Sequence, residues 1–343
     1  MPIESFVARK LRRFEFYARG VLRDAIPYPI YAIRLRRLYA KLEATGLDHR
    51  FAERVHYYNK LAPGSVLQHA VPARSISNEG SYYLYDLREH LNYFPPDLQV
   101  YREFGDVAFH LQAAGLTKTR PIADTNQNSV LLKLNKLRHF TWPRDPYPFA
   151  SKINAAVWRG TLHNELRRVL VQRFHAHPRH NIGLTENGHG GVGSKPWLSP
   201  AEQFRYRYML SVEGVDVATN LKMVLASRSL CLMPRPRYES WLMEGTLVPG
   251  VHYVELRDDF ADLDNKIDHY ERHQDEALAI VANANRFMEQ FGDKAGERLI
   301  SILVLQKYFE NTGQLPSLPV LRRQPLRSDD WLRSDHGALE TVR

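Results

Sequence analysis

From residue 155 onward the chain alternates short apolar runs with amphipathic stretches, and this rhythm constrains its fold more than any other feature. AAVWRG (155–160), HNIGLTE (180–186), FRYRYMLSVEG (204–214), SLCLMP (229–234) and HYVEL (252–256) read as strands. NELRRVLVQRFHA (164–176) and DVATNLKMVLAS (216–227) read as helices, YESWLMEG (238–245) as a short helix, and two further helices are expected near 260–273 and 275–291. Apolar strands that lack polar alternation need cover on both faces, so the pattern predicts an α/β fold with a parallel sheet between helices. Such sheets take ligands at the carboxyl ends of their strands.

The rest of the chain differs. Residues 1–60 read as helical, 61–150 as turns, aromatics and short strands, and 314–343 as a Pro-rich tail (GQLPSLPVLRRQPLRSDDW). With 343 residues, at roughly 150 per domain, two cores fit. The expected division is a basic helical extension (1–60), an N-terminal domain (61–150), a C-terminal domain (151–313) and the tail. Cys231 is the single cysteine, which excludes an internal disulfide and a Cys-rich zinc module and suits a reducing compartment. No run reaches the ~18 apolar residues of a membrane span, and charges break every apolar stretch at the start, so a cytoplasmic location is expected.

The net charge is +9, and it is uneven: residues 1–45 hold ten Lys or Arg against four Asp or Glu. Phe6, Leu11, Phe14, Phe16, Tyr17 and Leu22 interleave with them. Two readings follow. The segment lies on an anionic membrane surface, or it packs on the body and turns a basic face to water. No helix-turn-helix, zinc-finger or RNA-binding signature appears, so no nucleic-acid partner is expected.

Candidate chemistry centres on VWRGTLHNELRR. A strand runs into Arg159-Gly160-Thr161 and a helix begins near Asn164. Glycine admits close backbone approach, a helix N-terminus offers free N–H groups, and Arg159 and Arg167 supply cationic forks. The segment suits a diphosphate, or it is a plain strand–turn–helix with surface arginines. GHGGVGSK (188–195) is not a P-loop, because its lysine is displaced by one position and Pro196 opposes the helix that should follow. His175 and His177 diverge on a helix, and no acidic ligand lies near them or His180 in sequence. Asp262-Leu263-Asp264 is an Asp-X-Asp that can hold a divalent ion, but acids in the first turns of a helix are favoured by its dipole without one, so no metal is expected. There is no Gly-X-Ser-X-Gly elbow, and Cys231 lies in an apolar strand, so covalent hydrolysis has no nucleophile.

Taken as an ensemble, residues 90–295 resemble glycosyltransferase family 90, in particular its bacterial lipopolysaccharide and capsule branch. The resemblance rests on Tyr206, Tyr208, Gly214, Lys222, Trp241, Leu247, Pro249, His252 and Tyr253, preceded in order by FGDV, KTRPI, NSVLLKLNKLRHF and WRG. It implies a GT-B-like architecture, in which two Rossmann-type domains face each other across a cleft, here with an N-terminal helical extension. It implies an inverting, metal-independent transfer from a nucleoside-diphosphate sugar to a surface-glycan or glycolipid acceptor at the inner face of the cytoplasmic membrane. Asp106 in FGDV falls at the position of the catalytic base, Arg167 at that of the diphosphate-binding arginine, and Thr161 at that of a family serine. Where eukaryotic members carry Ser-Phe-Arg, this chain has Ala218-Thr219-Asn220, so a second cation must come from elsewhere: Lys222, or Lys118 and Arg120. Glu239 is placed either on ribose hydroxyls or at a helix cap, and His252 either on the nucleotide or in the core. Two other readings stay open: a catalytically silent nucleotide-binding protein of this fold, and another nucleotide-sugar enzyme such as an epimerase.

Overall fold

A computed structural model describes residues 6–76, 81–140, 143–185 and 193–322. Most of the glycine loop 188–195 and of the tail 314–343 therefore lies outside the described residues. Three helices open the chain: α1 (Phe6–Asp24), α2 (Tyr28–Thr45) and α3 (His49–Tyr58). Asp48 caps α3 by accepting the Arg50 N–H at 2.9 Å. Then follow α4 (Ser81–Leu91), the short strands β1 (Arg102–Glu103), β2 (Gly115–Thr117), β3 (Thr119–Pro121) and β4 (Ser129–Leu131), and the single-turn helix α5 (Lys136–His139). Strands β1, β2 and β4 form a small parallel sheet.

The second half carries β5 (Ile153–Gly160), α6 (Glu165–Phe174), β6 (Asn181–Thr185), β7 (Ser194–Lys195), β8 (Tyr206–Leu210), α7 (Leu221–Leu225) and β9 (Leu230–Met233). It closes with β10 (Tyr238–Ser240), β11 (Val254–Glu255), α8 (Leu263–Arg272), α9 (Gln274–Glu289) and α10 (Lys294–Asn311). Six strands make one parallel sheet in the order β11-β9-β8-β5-β6-β7. The chain builds outward from β5 through β6 and β7, then returns to β5's other side with β8. The switch point of the sheet therefore lies between the carboxyl ends of β5 and β8.

Successive strand residues face opposite sides, and both sides are dry. Ala156, Trp158, Tyr208, Leu210, Leu230 and Leu232 pack with α6, α8 and α9. Val157, Met209, Cys231 and Met233 pack into a larger core that also holds Val55, Tyr58, Leu116, Val130 and the α10 residues Ile302 to Phe309. Helix α10 crosses back over the N-terminal half and packs on α3 and α4. It is apolar almost all round, as a helix buried on every side must be, which is why no amphipathic period in the sequence announced it.

Two readings need correction. Residues 216–227 yield only the five-residue α7. Residues 238–245 are not a helix: Tyr238–Ser240 is a strand paired antiparallel with Thr119–Pro121, followed by a 3-10 turn at Glu244–Thr246. Met243 sits at φ 62°, outside helical space, and Glu244 accepts the Ser240 N–H at 2.6 Å. Pairing with a distant strand overrides the local helix preference.

Candidate active site

Strand β5 ends in Gly160, and a Cβ there would come within 2.5 Å of the Trp158 ring; glycine makes room for that indole. Asn164 then caps α6. Its Oδ1 accepts the Arg167 N–H at 3.0 Å, and its Nδ2 donates to the Glu213 and Gly214 carbonyls at 3.1 and 2.8 Å. The start of the helix is thereby tied to the segment that leaves β8.

Arg167 spans the switch point. Its Nη1 donates to the Thr161 carbonyl at 2.9 Å, its Nη2 to Val212 O at 2.8 Å and its Nε to Glu213 O at 2.9 Å. The guanidinium lies 5.5 Å from the Trp158 ring centre, and a Cβ on Gly214 would approach its Nη2 to 3.0 Å. Every acceptor it has is a neutral carbonyl; no carboxylate among the described residues pairs with it. Burial, then the like charge of Arg138, lowers its pKa to about 10. Asp216 and Glu213 act on Arg167 only from beyond ion-pair distance; a fixed, half-buried cation with no carboxylate in contact, beside a helix N-terminus, is a place for an anion.

Asp106 stands opposite. Gly105, at φ 107°, turns the chain into the loop between β1 and β2 and leaves the Asp106 side chain 39% exposed. Lys118, almost fully buried, donates to Asp106 Oδ1 at 2.5 Å and reaches Asp216 Oδ2 at 2.8 Å. Asp216 also accepts from Thr119 Oγ1 at 2.7 Å. Burial alone would raise the Asp106 carboxyl. The hydrogen bond and charge of Lys118, with Arg138 and His163 adding, hold it below the usual aspartate value. Burial likewise opposes the Lys118 charge, but Asp216 and the other partners keep that ammonium above its ordinary value.

His163 and Arg138 join the two sides. His163 lies in the turn after β5, with its Nε2 2.6 Å from Thr161 Oγ1, and its charge acts on Asp106. Arg138, on α5, is exposed, and its charge acts on both Asp106 and Arg167. Its guanidinium has no hydrogen-bond or ion-pair partner among the described residues. Neither residue was singled out from the sequence; NKLRHF gives no local signal that Arg138 meets a turn 25 residues away.

The other sequence candidates lie elsewhere. Arg159 follows Trp158 on a strand and so points to the opposite face. Its donors go to Pro196 O, Trp158 O, Asn181 O and Asn181 Oδ1 at 2.7–2.9 Å, on the other side of the strand from Arg167. Arg120 is fully buried. It pairs with Glu239 Oε1 at 2.7 Å and donates to Tyr58 O, Ser129 O and Tyr57 O. Glu239 also accepts from the Tyr57 hydroxyl and from Asn126, so both members of the pair are held by protein groups. Lys222 is buried, 3.5 Å from Glu244 and 5.5 Å from the Phe140 ring centre. His252 is a core residue: its Nδ1 accepts the Val248 N–H at 3.0 Å and its ring packs on Phe287. Thus Gly160, Thr161, Arg167, Lys118 and Asp106 come together, with Lys222 buried behind them where its charge reaches Lys118 and Asp216, whereas Arg159, Arg120, Glu239 and His252 lie elsewhere.

The structure also joins the two features weighed for metal. His177, His180 and Asp264 form one cluster. His180 Nδ1 accepts the Ala156 N–H at 3.1 Å, so the proton sits on Nε2 and is donated to Asp264 at 2.9 Å. That ring has no lone pair left for a cation, and Arg179 already lies 3.9 Å from the same carboxylate.

Comparison with known proteins assigns the class. The profile of glycosyl transferase family 90 matches residues 132–295. O-glucosyltransferase LpsA of Dichelobacter nodosus is 40% identical over 309 residues, covering 88% of this chain and 96% of the relative. Protein O-glucosyltransferase 2 of Danio rerio is 30% identical over 146 residues (40% of this chain, 28% of the relative). Protein O-glucosyltransferase 3 of Homo sapiens is 25% identical over 175 residues (49% and 34%). The chain is a glycosyltransferase, and it belongs to glycosyltransferase family 90.

Proposed function

We propose that this enzyme moves a sugar from a nucleoside-diphosphate donor to a hydroxyl of a surface glycan, of the lipopolysaccharide-core type, with inversion at the anomeric carbon and without a metal. One observation carries the reading. An ionised, solvent-reachable carboxylate, Asp106, and an arginine with no ion-pair partner among the described residues, Arg167, both feel the charge of Arg138 at the switch point of the sheet. The two parallel sheets, with α10 crossing between them, serve in this reading as the two halves of a GT-B arrangement.

The diphosphate lies against Arg167, the Thr161 turn and the first free N–H groups of α6, with Arg138 as the second cation in place of the missing arginine at Ala218–Asn220. The acceptor oxygen attacks the anomeric carbon and its proton passes to Asp106. The bond to the diphosphate oxygen breaks on the opposite face, and the nucleoside diphosphate leaves with the added charge. Arg167 and Arg138 gain interaction energy as that charge develops, which lowers the barrier rather than merely tightening donor binding. Lys118 keeps Asp106 ionised and aimed. Among the described residues, these cations and N–H groups supply the counter-charge to the leaving group.

The relative's name, O-glucosyltransferase, makes a glucose donor the first to try. The test is a donor screen read by NMR, with and without a chelator. The expected result is transfer that survives chelation and inverts the anomeric configuration. Retention of configuration would overturn the role of Asp106, and loss of activity with the chelator would overturn metal independence.

A further inference from the structure

Helix α1 is amphipathic in an unusual sense: both its packed side and its open side are apolar. The packed side is set by Gly20, where a Cβ would come within 2.4 Å of the Tyr85 ring. Phe16 and Tyr17 flank that contact, with ring centres 6.4 and 5.9 Å from Tyr85, and Arg13 lies 5.3 Å from the Tyr82 ring. Asp24 anchors the end of the helix to Arg88 at 2.7 Å. All of these fasten α1 to α4.

On the far side lie Leu11, Phe14, Ala18, Val21 and Leu22, spaced i, i+3, i+7, i+10 and i+11, which places them on one stripe of a helix. Ala18 is half-buried, and the other four face solvent: Leu11 is 61% exposed, Phe14 72%, Val21 57% and Leu22 68%. Lys10 borders the stripe on one edge and Arg19, ion-paired with Glu15 at 2.5 Å, on the other; Arg12 is half-buried and lines the cavity between α1, α4 and α5. Helix α2 adds a second open side on which Ile30, Ile33, Arg34, Arg37 and Lys41 recur at helical spacing, all exposed. The segment 1–45 thus joins its large excess of positive charge to a continuous apolar ridge. A merely solvated basic face would carry no such ridge, and a protein partner with an apolar groove would not need the charge.

We propose that the α1 ridge, with the basic side of α2, docks the enzyme on an anionic phospholipid bilayer. The apolar side chains enter the boundary between headgroups and acyl chains, about 5–10 Å deep. The lysines and arginines at the edges extend their charged ends to the phosphates. The helix lies along the surface and does not cross it: among the described residues, no helix is long and apolar enough to span a membrane. The inference does not depend on the sugar chemistry, because the ridge shares no residue with the Asp106–Arg167 cluster.

The test is co-sedimentation of the full chain with phosphatidylglycerol-containing vesicles and with pure phosphatidylcholine vesicles, for the wild type and for Phe14→Glu/Leu22→Glu. The wild type should bind the anionic vesicles and bind the zwitterionic ones at least tenfold more weakly. The double variant should lose at least tenfold on anionic vesicles, keep its melting temperature and keep its transfer rate on a soluble acceptor fragment. Phe14→Trp should bind at least as well as the wild type. Absence of wild-type binding, or equal binding by the double variant, would overturn the proposal. So would a concentration-dependent dimer that the double substitution abolishes, because the ridge would then be a protein interface. Because the soluble-acceptor rate is measured on the same samples, a failure of docking is distinguishable from a failure of catalysis.

Discussion

Two clusters of charge in this molecule are built from the same residue types and serve opposite ends. In the first, Arg120 and Glu239 are sealed together, and nearby Glu297 binds Arg54 at 2.5 Å, Lys133 at 2.5 Å and Trp241 Nε1 at 2.7 Å. Each charge there has an opposite charge, and together they pin β3, β10, α3 and α10, with Tyr58 stacked 3.9 Å from Trp241. In the second cluster, Arg167 is held by neutral carbonyls, Arg138 has no partner among the described residues, and Asp106 keeps an open side. A closed cluster spends its field on the fold. An open one keeps its field for a ligand, and substitutions should separate the two.

The largest effect is expected in the closed cluster. Arg120→Met leaves buried Glu239 with only the half-exposed Lys60 ammonium at 3.8 Å, which should cost about 3 kcal/mol of stability, while the folded fraction keeps its donor affinity. Denaturant titration beside calorimetry checks this; a stable variant that had lost donor binding would move Arg120 into the site. Next, Arg167→Met should weaken binding of a nucleoside diphosphate by roughly 10–100-fold, about the 1.5–3 kcal/mol of a charge-assisted contact, measured well below a melting temperature that falls because the Thr161, Val212 and Glu213 carbonyls lose their donor. Unchanged affinity would remove the cradle.

Lys118→Met sharpens the link between the two sides of the site. With the ammonium gone, only Arg138 and His163 still oppose the effect of burial on Asp106, so the acidic limb of the kcat/KM profile should move upward from below the ordinary aspartate range. A limb that stays put would show that another group titrates. The smallest effect concerns Glu213, whose carboxyl is raised to about 7 by burial, against the N–H groups of Arg237 and Tyr238. A raised acid holds a proton in the folded state that the unfolded chain has lost, so stability falls as pH rises from about 4.5 through 7. Glu213→Gln should therefore raise the melting temperature at pH 8, by about 2 °C, and leave it nearly unchanged at pH 4.

The sequence was informative where the chemistry is local. A strand ending in glycine, then Asn164 three residues before Arg167, encodes a turn and a cap that place the arginine whatever the rest of the fold does. The closed cluster was illegible because Arg120 and Glu239 lie 119 residues apart and meet only when β3 pairs with β10. The same pairing turned the expected helix at 238–245 into a strand. Arg159 was legible in principle: it follows a buried tryptophan on a strand, and alternation alone turns it away from Gly160's side. Arg138 carried no signal, since nothing in α5 reports which turn it faces.

The central claim is that the Asp106 carboxylate accepts the acceptor's proton while the opposite side holds the donor. Donor affinity and transfer rate measured on one preparation of Asp106→Asn test it most directly. The expected result is a donor Kd within about twofold of wild type and a transfer rate lower by roughly 10²–10⁴. Normal turnover by that variant, or loss of donor binding in step with the rate, would contradict it.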